Sequence, residues 1–175
     1  MRAFWADGYE ATSTQELCAA TGLGRSSIYN TFASKRDLFV KALTRYMEER
    51  TAQLVQLMDD GGKSVRERLR TVLEWAVAPA DDDPAGCLVV NSTVEFGPHD
   101  RDIAERLDRH RRQRFAVLKA AIEDGMRTGE IDARKDAEAL AHFLISTVGG
   151  LQVAARGGAD RATLRSIADT AMDSI

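Results

Sequence analysis

Arg25, Ser26, Ser27, Asn30 and Thr31 bring a guanidinium, a carboxamide and three hydroxyls together within seven residues. These are the side-chain types that read base edges. Arginine can bridge the acceptor edge of guanine with two hydrogen bonds, asparagine can do the same for adenine, and hydroxyls serve bases or phosphates. A major groove admits one helix, and the residues near that helix's N-terminus reach the bases. Tyr29 and Lys35 lie beside this set and could hold phosphates, the first by its hydroxyl and the second by charge. Ser13 and Thr14 begin an earlier helix, whose free amides could meet another phosphate. A short Ser/Arg-rich helix can equally be a solvated connector, and spacing alone leaves both readings open.

Local signals place these residues on elements. Ser13 and Glu16 form the S-x-x-E capping box, which predicts a helix from Thr14 to Thr21, and Gly22 ends it. A short helix follows over Arg25–Phe32, with Ile28 and Phe32 turned inward onto Leu17 and Leu38. Ser34 and Asp37 frame the start of a longer helix from Lys35 to about Met58. The layout is that of a helix-turn-helix. Residues 1–45 carry six basic and four acidic groups, and the remainder carries 18 and 23. A mildly basic head on an acidic body suits a local phosphate-facing surface.

The rest of the chain also reads as helices punctuated by caps and glycines. Ser64 and Glu67 open Val65–Val77. A loop follows over Pro79–Ala85 with three successive aspartates. Further helices are predicted over Gly86–Phe96, Asp100–Thr128, Lys135–Arg156 and Arg161–Ser174, and Met1–Asp7 reads as the end of a first helix. No stretch alternates with period two. The expectation is about nine helices and no sheet, an all-α chain of 175 residues with 44% apolar and 29% charged content. A chain of this length can bury roughly 70% of its unfolded surface.

Several classes are disfavoured. Cys18 and Cys87 are isolated and make no disulfide framework. His99, His110 and His142 lack the close pairing of a zinc site, so no metal is expected. No nucleophile–base pair or phosphate-cradling loop has believable spacing, so neither an enzyme nor a cofactor is expected. No apolar run approaches the roughly 20 residues that span a bilayer, and no signal peptide is evident. A cytoplasmic protein is expected.

In the second half, Asn91 and Glu95 fall on one side of an apolar helix with Cys87 beside them, a pattern that could orient a small molecule. They could also serve backbone groups or water. Arg111 and Arg114 fall on the apolar stripe set by Leu107, Leu118 and Ile122. A buried arginine seeks a carboxylate, with Glu95 one possible partner and an anionic ligand another. Trp75, Phe115, His142 and Phe143 could line a cavity or be plain core. Leu140, Leu144, Val148, Leu151 and Ala155 form one apolar face of the Lys135–Arg156 helix, with Phe143 and Ile145 off it. With Leu164, Ile167, Ala168 and Ala171 of the last helix, they could build a dimer seam or pack within one chain.

Phe4 to Leu43 resembles the DNA-binding region of the TetR family of bacterial transcriptional repressors. The residues that carry the resemblance are Phe4, Gly8 and Tyr9, then Ala11–Ser13, then Ala19, Gly22 and Leu23, then Ile28, Tyr29, Phe32, Ser34, Lys35 and Leu38. Gly24 and Ser26 depart from the usual pattern, and the first helix reads as shortened. Gly86-Cys87-Leu88-Val89-Val90-Asn91 and Gly129-Glu130-Ile131 resemble, more loosely, one C-terminal subtype. The resemblance implies a three-helix reading head over 1–45 and a helical ligand-binding and dimerising body over 46–175. It implies phosphate contacts by Tyr29 and Lys35, a palindromic operator in double-stranded DNA, and a homodimer. The function so implied is a repressor released by a small-molecule effector. The alternative is a helical small-molecule binding protein of the same fold that no longer reads DNA.

Overall fold

The computed structural model describes residues 1–78 and 83–175. The expected loop over Pro79–Ala85 lies mostly outside the described residues. Nine α-helices are described: α1 (Arg2–Asp7), α2 (Thr14–Thr21), α3 (Arg25–Thr31), α4 (Lys35–Met58), α5 (Val65–Val77), α6 (Leu88–Phe96), α7 (Arg101–Thr128), α8 (Ala137–Arg156) and α9 (Arg161–Ser174). A 3-10 turn, Gly97–His99, joins α6 to α7.

Caps set most of the boundaries. Both capping boxes form: the Ser13 N–H donates to Glu16 over 2.6 Å and the Ser64 N–H to Glu67 over 2.7 Å. Gly22 takes the left-handed conformation with φ of 68°, which glycine adopts without steric penalty. Three expected starts shift inward. Asp100 and Asp136 stay extended and accept backbone N–H groups from Ile103, and from Glu138 and Ala139, so they cap α7 and α8 rather than join them. Gly86 and Cys87 precede α6, with Cys87 extended at its N-cap. Lys135 lies outside α8 and donates to the carbonyls of Ser174 and Ile175, satisfying the end of α9.

Two cores result. Buried Leu69, Leu73, Ile122, Leu144 and Leu164 lie in a body core shared by α5, α7, α8 and α9, which the end of α4 also joins. The second core begins in the head with Phe4, Leu17, Ile28, Phe39 and Leu43, and continues without a break into Cys87, Leu88, Ile103 and Leu107. Phe39 sits at its centre, fully buried. Its ring meets Phe4 edge-on at 5.2 Å, Tyr9 at 5.0 Å and Phe96 of α6 at 5.1 Å. One aromatic cluster therefore joins the small N-terminal helices to the larger unit.

Truncating Phe39 to Ala removes that junction and leaves a cavity, a change that costs about 3–5 kcal/mol. Chemical denaturation is expected to show a lowered midpoint of that size, with the head losing structure before or with the rest. A loss under about 1 kcal/mol would mean that the two units are not held by this ring.

Candidate nucleic-acid interface and ligand cavity

The head presents its polar set outward. Arg25, Ser26, Ser27, Asn30 and Thr31 are all exposed on α3, while Ile28 is buried beneath them. Tyr29 is half-buried, and its hydroxyl lies 2.9 Å from the Thr14 hydroxyl, joining α3 to the N-terminus of α2. The Arg25 guanidinium lies 5.9 Å from the Tyr29 ring centre. Ser13 is exposed and spends its hydroxyl on the Glu16 amide. Lys35 is half-buried: its ammonium donates to the Glu10 carbonyl over 3.3 Å and rests 4.5 Å from the Tyr9 ring. The arrangement can offer one guanidinium, one carboxamide and several hydroxyls to a groove, with a tyrosine and a lysine at its border.

Three side chains of the larger unit grip α1 and the loop that follows it. The Glu95 carboxylate accepts the N–H groups of Tyr9 and Glu10 over 2.9 and 2.7 Å. Gly8 makes this approach possible. Its φ is 87°, and a Cβ there would stand 3.3 Å from the Glu95 carboxylate. Asn91 donates to the Trp5 carbonyl, and Arg156 donates to the carbonyls of Trp5 and Ala6. The open C-terminal carbonyls of α1 are thus met by α6 and α8. Arg36 adds a forked pair to Asp100, at 2.9 Å, and reaches Asp102 at 3.3 Å.

A cavity of about 370 Å³ opens between α4, α5, α6, α7 and α8. Its apolar walls include Trp5, Val72, Trp75, Val90, Leu118 and Val148, and its polar walls include Tyr46, Arg50, Asp83, His110, Arg111 and Arg114. Of the residues expected to meet a ligand, Trp75, Cys87, Arg111 and Arg114 line it. Asn91 and Glu95 are engaged by the head instead, because α6 turns them toward α1 and the backbone amides beyond it. Glu95 is therefore not the partner of either arginine. Phe115 and His142 stack on each other with centroids 4.4 Å apart, and neither they nor Phe143 line the cavity. Trp5, Tyr46, Arg50 and Asp83 were not singled out from sequence. Each reaches the cavity through chain segments far apart, which no local spacing reveals.

The cavity's charges are sorted by partner. Arg50 pairs with Asp83 over 3.0 Å, and its guanidinium lies 5.3 Å from the Trp5 ring centre and 5.1 Å from that of Tyr46. Arg111 is exposed and pairs with Asp108 over 2.6 Å. The Tyr46 hydroxyl donates to the Cys87 sulfur over 3.5 Å, and burial, followed by Cys87, raises the pKa of Tyr46, keeping it protonated. His110 is buried and shares a hydrogen bond with Thr51 over 3.1 Å. Burial, reinforced by Arg114, lowers its pKa from 6.5 to about 4, so it is neutral at neutral pH.

The residues expected at a dimer seam divide by burial. Leu144, Val148, Leu151, Leu164, Ala168 and Ala171 are buried within the single chain, because α8 and α9 turn this face onto α5 and α7. Leu140 and Ala155 are half-buried and Ile167 is exposed. The outward side of α8 carries Phe143, Gly150 and Val153, the last 55% exposed. By length and composition alone α8 is apolar enough to cross a membrane, which corrects the expectation that no run approaches that length. Among the described residues no cluster of three or more metal-ligating side chains occurs.

Comparison with known proteins agrees with this geometry. Residues 1–42 match the family model described as bacterial regulatory proteins, tetR family, and residues 65–171 match the tetracyclin repressor-like C-terminal domain. The HTH-type transcriptional repressor ComR of Escherichia coli (strain K12) is 33% identical over 98% of this chain and 83% of its own length. The uncharacterized HTH-type transcriptional regulator YezE of Bacillus subtilis (strain 168) is 32% identical over 94% of this chain and 86% of its own length. Among solved structures, a cysteine-substituted form of the TetR family transcriptional regulator CifR, complexed with 26bp double-strand operator DNA, superposes with a TM-score of 0.84 at 29% identity. That match covers 98% of this chain and 90% of CifR.

His110 makes stability acid-sensitive in a defined window. Its folded pKa lies below its unfolded one, so between pH 6.5 and about 4 the unfolded chain binds a proton that the folded chain refuses. Stability is therefore full above that window and falls as the pH drops through it. From neutral pH down to pH 4 the melting temperature of the wild type is expected to fall further than that of His110→Gln, because the variant lacks this loss. Parallel curves would contradict it.

Proposed function

The chain belongs to the TetR family of bacterial regulatory proteins, and we propose that it represses transcription as a homodimer on a palindromic operator until a small molecule fills its cavity. It is a DNA-binding transcriptional regulator and not an enzyme. The observation that carries the proposal is the exposed edge of α3, with Arg25, Ser26, Ser27, Asn30 and Thr31 held outward over buried Ile28. In this reading those five side chains meet base edges. Tyr29 and Lys35 hold phosphates, and Ser13 and Thr14 present the N-terminus of α2 to another.

Residues 1–45 act as the reading head and residues 46–175 as the sensing and dimerising body. The outward faces of α8 and α9, with Phe143, Val153 and Ile167, pair with a second copy, since apolar surface left open on a soluble body favours association. A two-fold pair would set its α3 helices one turn of DNA apart, about 34–36 Å. The work is done at the chromosome, which assigns the protein to the bacterial cytoplasm. The repressor relatives and the operator-bound neighbour count against a binding protein that has lost DNA.

An effector works by linkage: it lowers operator affinity only if it binds better when the heads are mis-spaced. The link between cavity and head is short. Trp5 lines the cavity with its side chain while its carbonyl is held by Asn91 and Arg156.

In vitro selection from a random duplex pool, followed by fluorescence anisotropy, tests the proposal. Enrichment of two inverted half-sites is expected. Lys35→Ala should weaken binding to all sequences alike and reduce the slope of log affinity against log salt by about 1. Enrichment of no sequence would defeat the operator reading, and enrichment of an isolated half-site would defeat the dimer.

A further inference from the structure

Arg114 is the one cation on the cavity wall without a carboxylate partner among the described residues. Arg50 has Asp83, and Arg111 has Asp108. The groups that influence Arg114 are Cys87, Tyr46 and Arg50, of which the last carries like charge. Glu95, the acid on the neighbouring helix α6, is committed to two backbone amides of the head. Arg114 is half-buried on the cavity wall, and burial is the largest influence on its guanidinium, lowering its pKa. A guanidinium does not escape by losing its proton under ordinary conditions. A charge partly withdrawn from water with no carboxylate beside it is incompletely compensated, and a planar fork in that position matches a carboxylate.

The rest of the wall defines what must be attached to that anion. Trp5, Trp75, Val72, Leu118 and Val148 give the 370 Å³ space an apolar lining. His110 is neutral at neutral pH and adds no second cation. One open guanidinium suits a monoanion better than a phosphate dianion, which would leave a charge unmet.

We infer that the cavity takes an apolar monocarboxylate, whose carboxylate pairs with Arg114 while its hydrocarbon or aryl body lies against Trp5, Trp75 and Val148. The inference rests on the cavity being the effector site and names the chemical class of that effector. Arg114 is then the residue that selects acids over their uncharged analogues.

The chain's two tryptophans, Trp5 and Trp75, both line the cavity, so intrinsic fluorescence reports its occupancy. Decanoate and 2-naphthoate are each titrated into the full chain against their own primary carboxamides, by calorimetry with tryptophan emission followed in parallel. At neutral pH each acid is expected to bind at least about 10-fold more tightly than its amide. In Arg114→Met the acid should fall to the affinity of the amide, while the amide is unchanged. Arg114→Lys should keep part of the preference. Equal affinities for acid and amide in the wild type, or no binding of either acid, would overturn the inference without recourse to any variant.

Anisotropy with the selected operator separates this from the reading beneath it. Acid-selective binding with the operator retained would uphold the ligand class and reject the effector role. Release by acid and amide at equal concentrations would uphold the effector role and reject the ligand class.

Discussion

The last carbonyls of a helix have no partner within it and must find one elsewhere. The position of α1, and of the reading head built on it, therefore depends on bonds from outside. Asn91 and Arg156 take its last carbonyls, and Glu95 takes the amides that follow. Each of these side chains comes from α6 or α8. The head is consequently fastened to the two helices that also wall the cavity. Removal of this clasp would leave α4 and the aromatic contacts of Phe39 as the main ties between the two parts.

This fastening gives the regulator a direct mechanical logic. Trp5 is shared between the clasp and the cavity wall, through its carbonyl and its ring respectively. Its indole N–H is buried with no partner in the described structure, so the ring is held by packing and by the Arg50 cation rather than by a hydrogen bond. A ligand that moves α6 or displaces this ring moves the anchor of the head. In the proposed mechanism such a shift would reach α3 through the close-packed core that the two parts share.

Much of the fold was legible because its signals are local. Ser13 with Glu16 and Ser64 with Glu67 announce helix starts within four residues, and both boxes form. The bounds of α4, Lys35–Met58, and of α5, Val65–Val77, agree with their expected ranges. The outward set on α3 followed from residue type and from the inward demand of Ile28. The placement of Asn91 and Glu95 was not legible. Their partners lie 85 or 86 positions away, and helical spacing says only that they share a side, not what that side faces. Arg156 was invisible for the same reason. The apolar face of α8 was visible as a pattern, but a pattern does not tell a core from a seam. Burial assigns Leu144, Val148 and Leu151 to the core and leaves Phe143 and Val153 outside.

Glu95 locks the loop after α1 to the body, so that head and body form one unit. Amide hydrogen exchange of the free protein, resolved residue by residue, reads this directly. The Tyr9 and Glu10 amides sit in a loop outside any helix, yet through Glu95 they are expected to exchange as slowly as the amides of α6. Exchange of those two amides at the rate of an open peptide, with α6 still protected, would contradict the account.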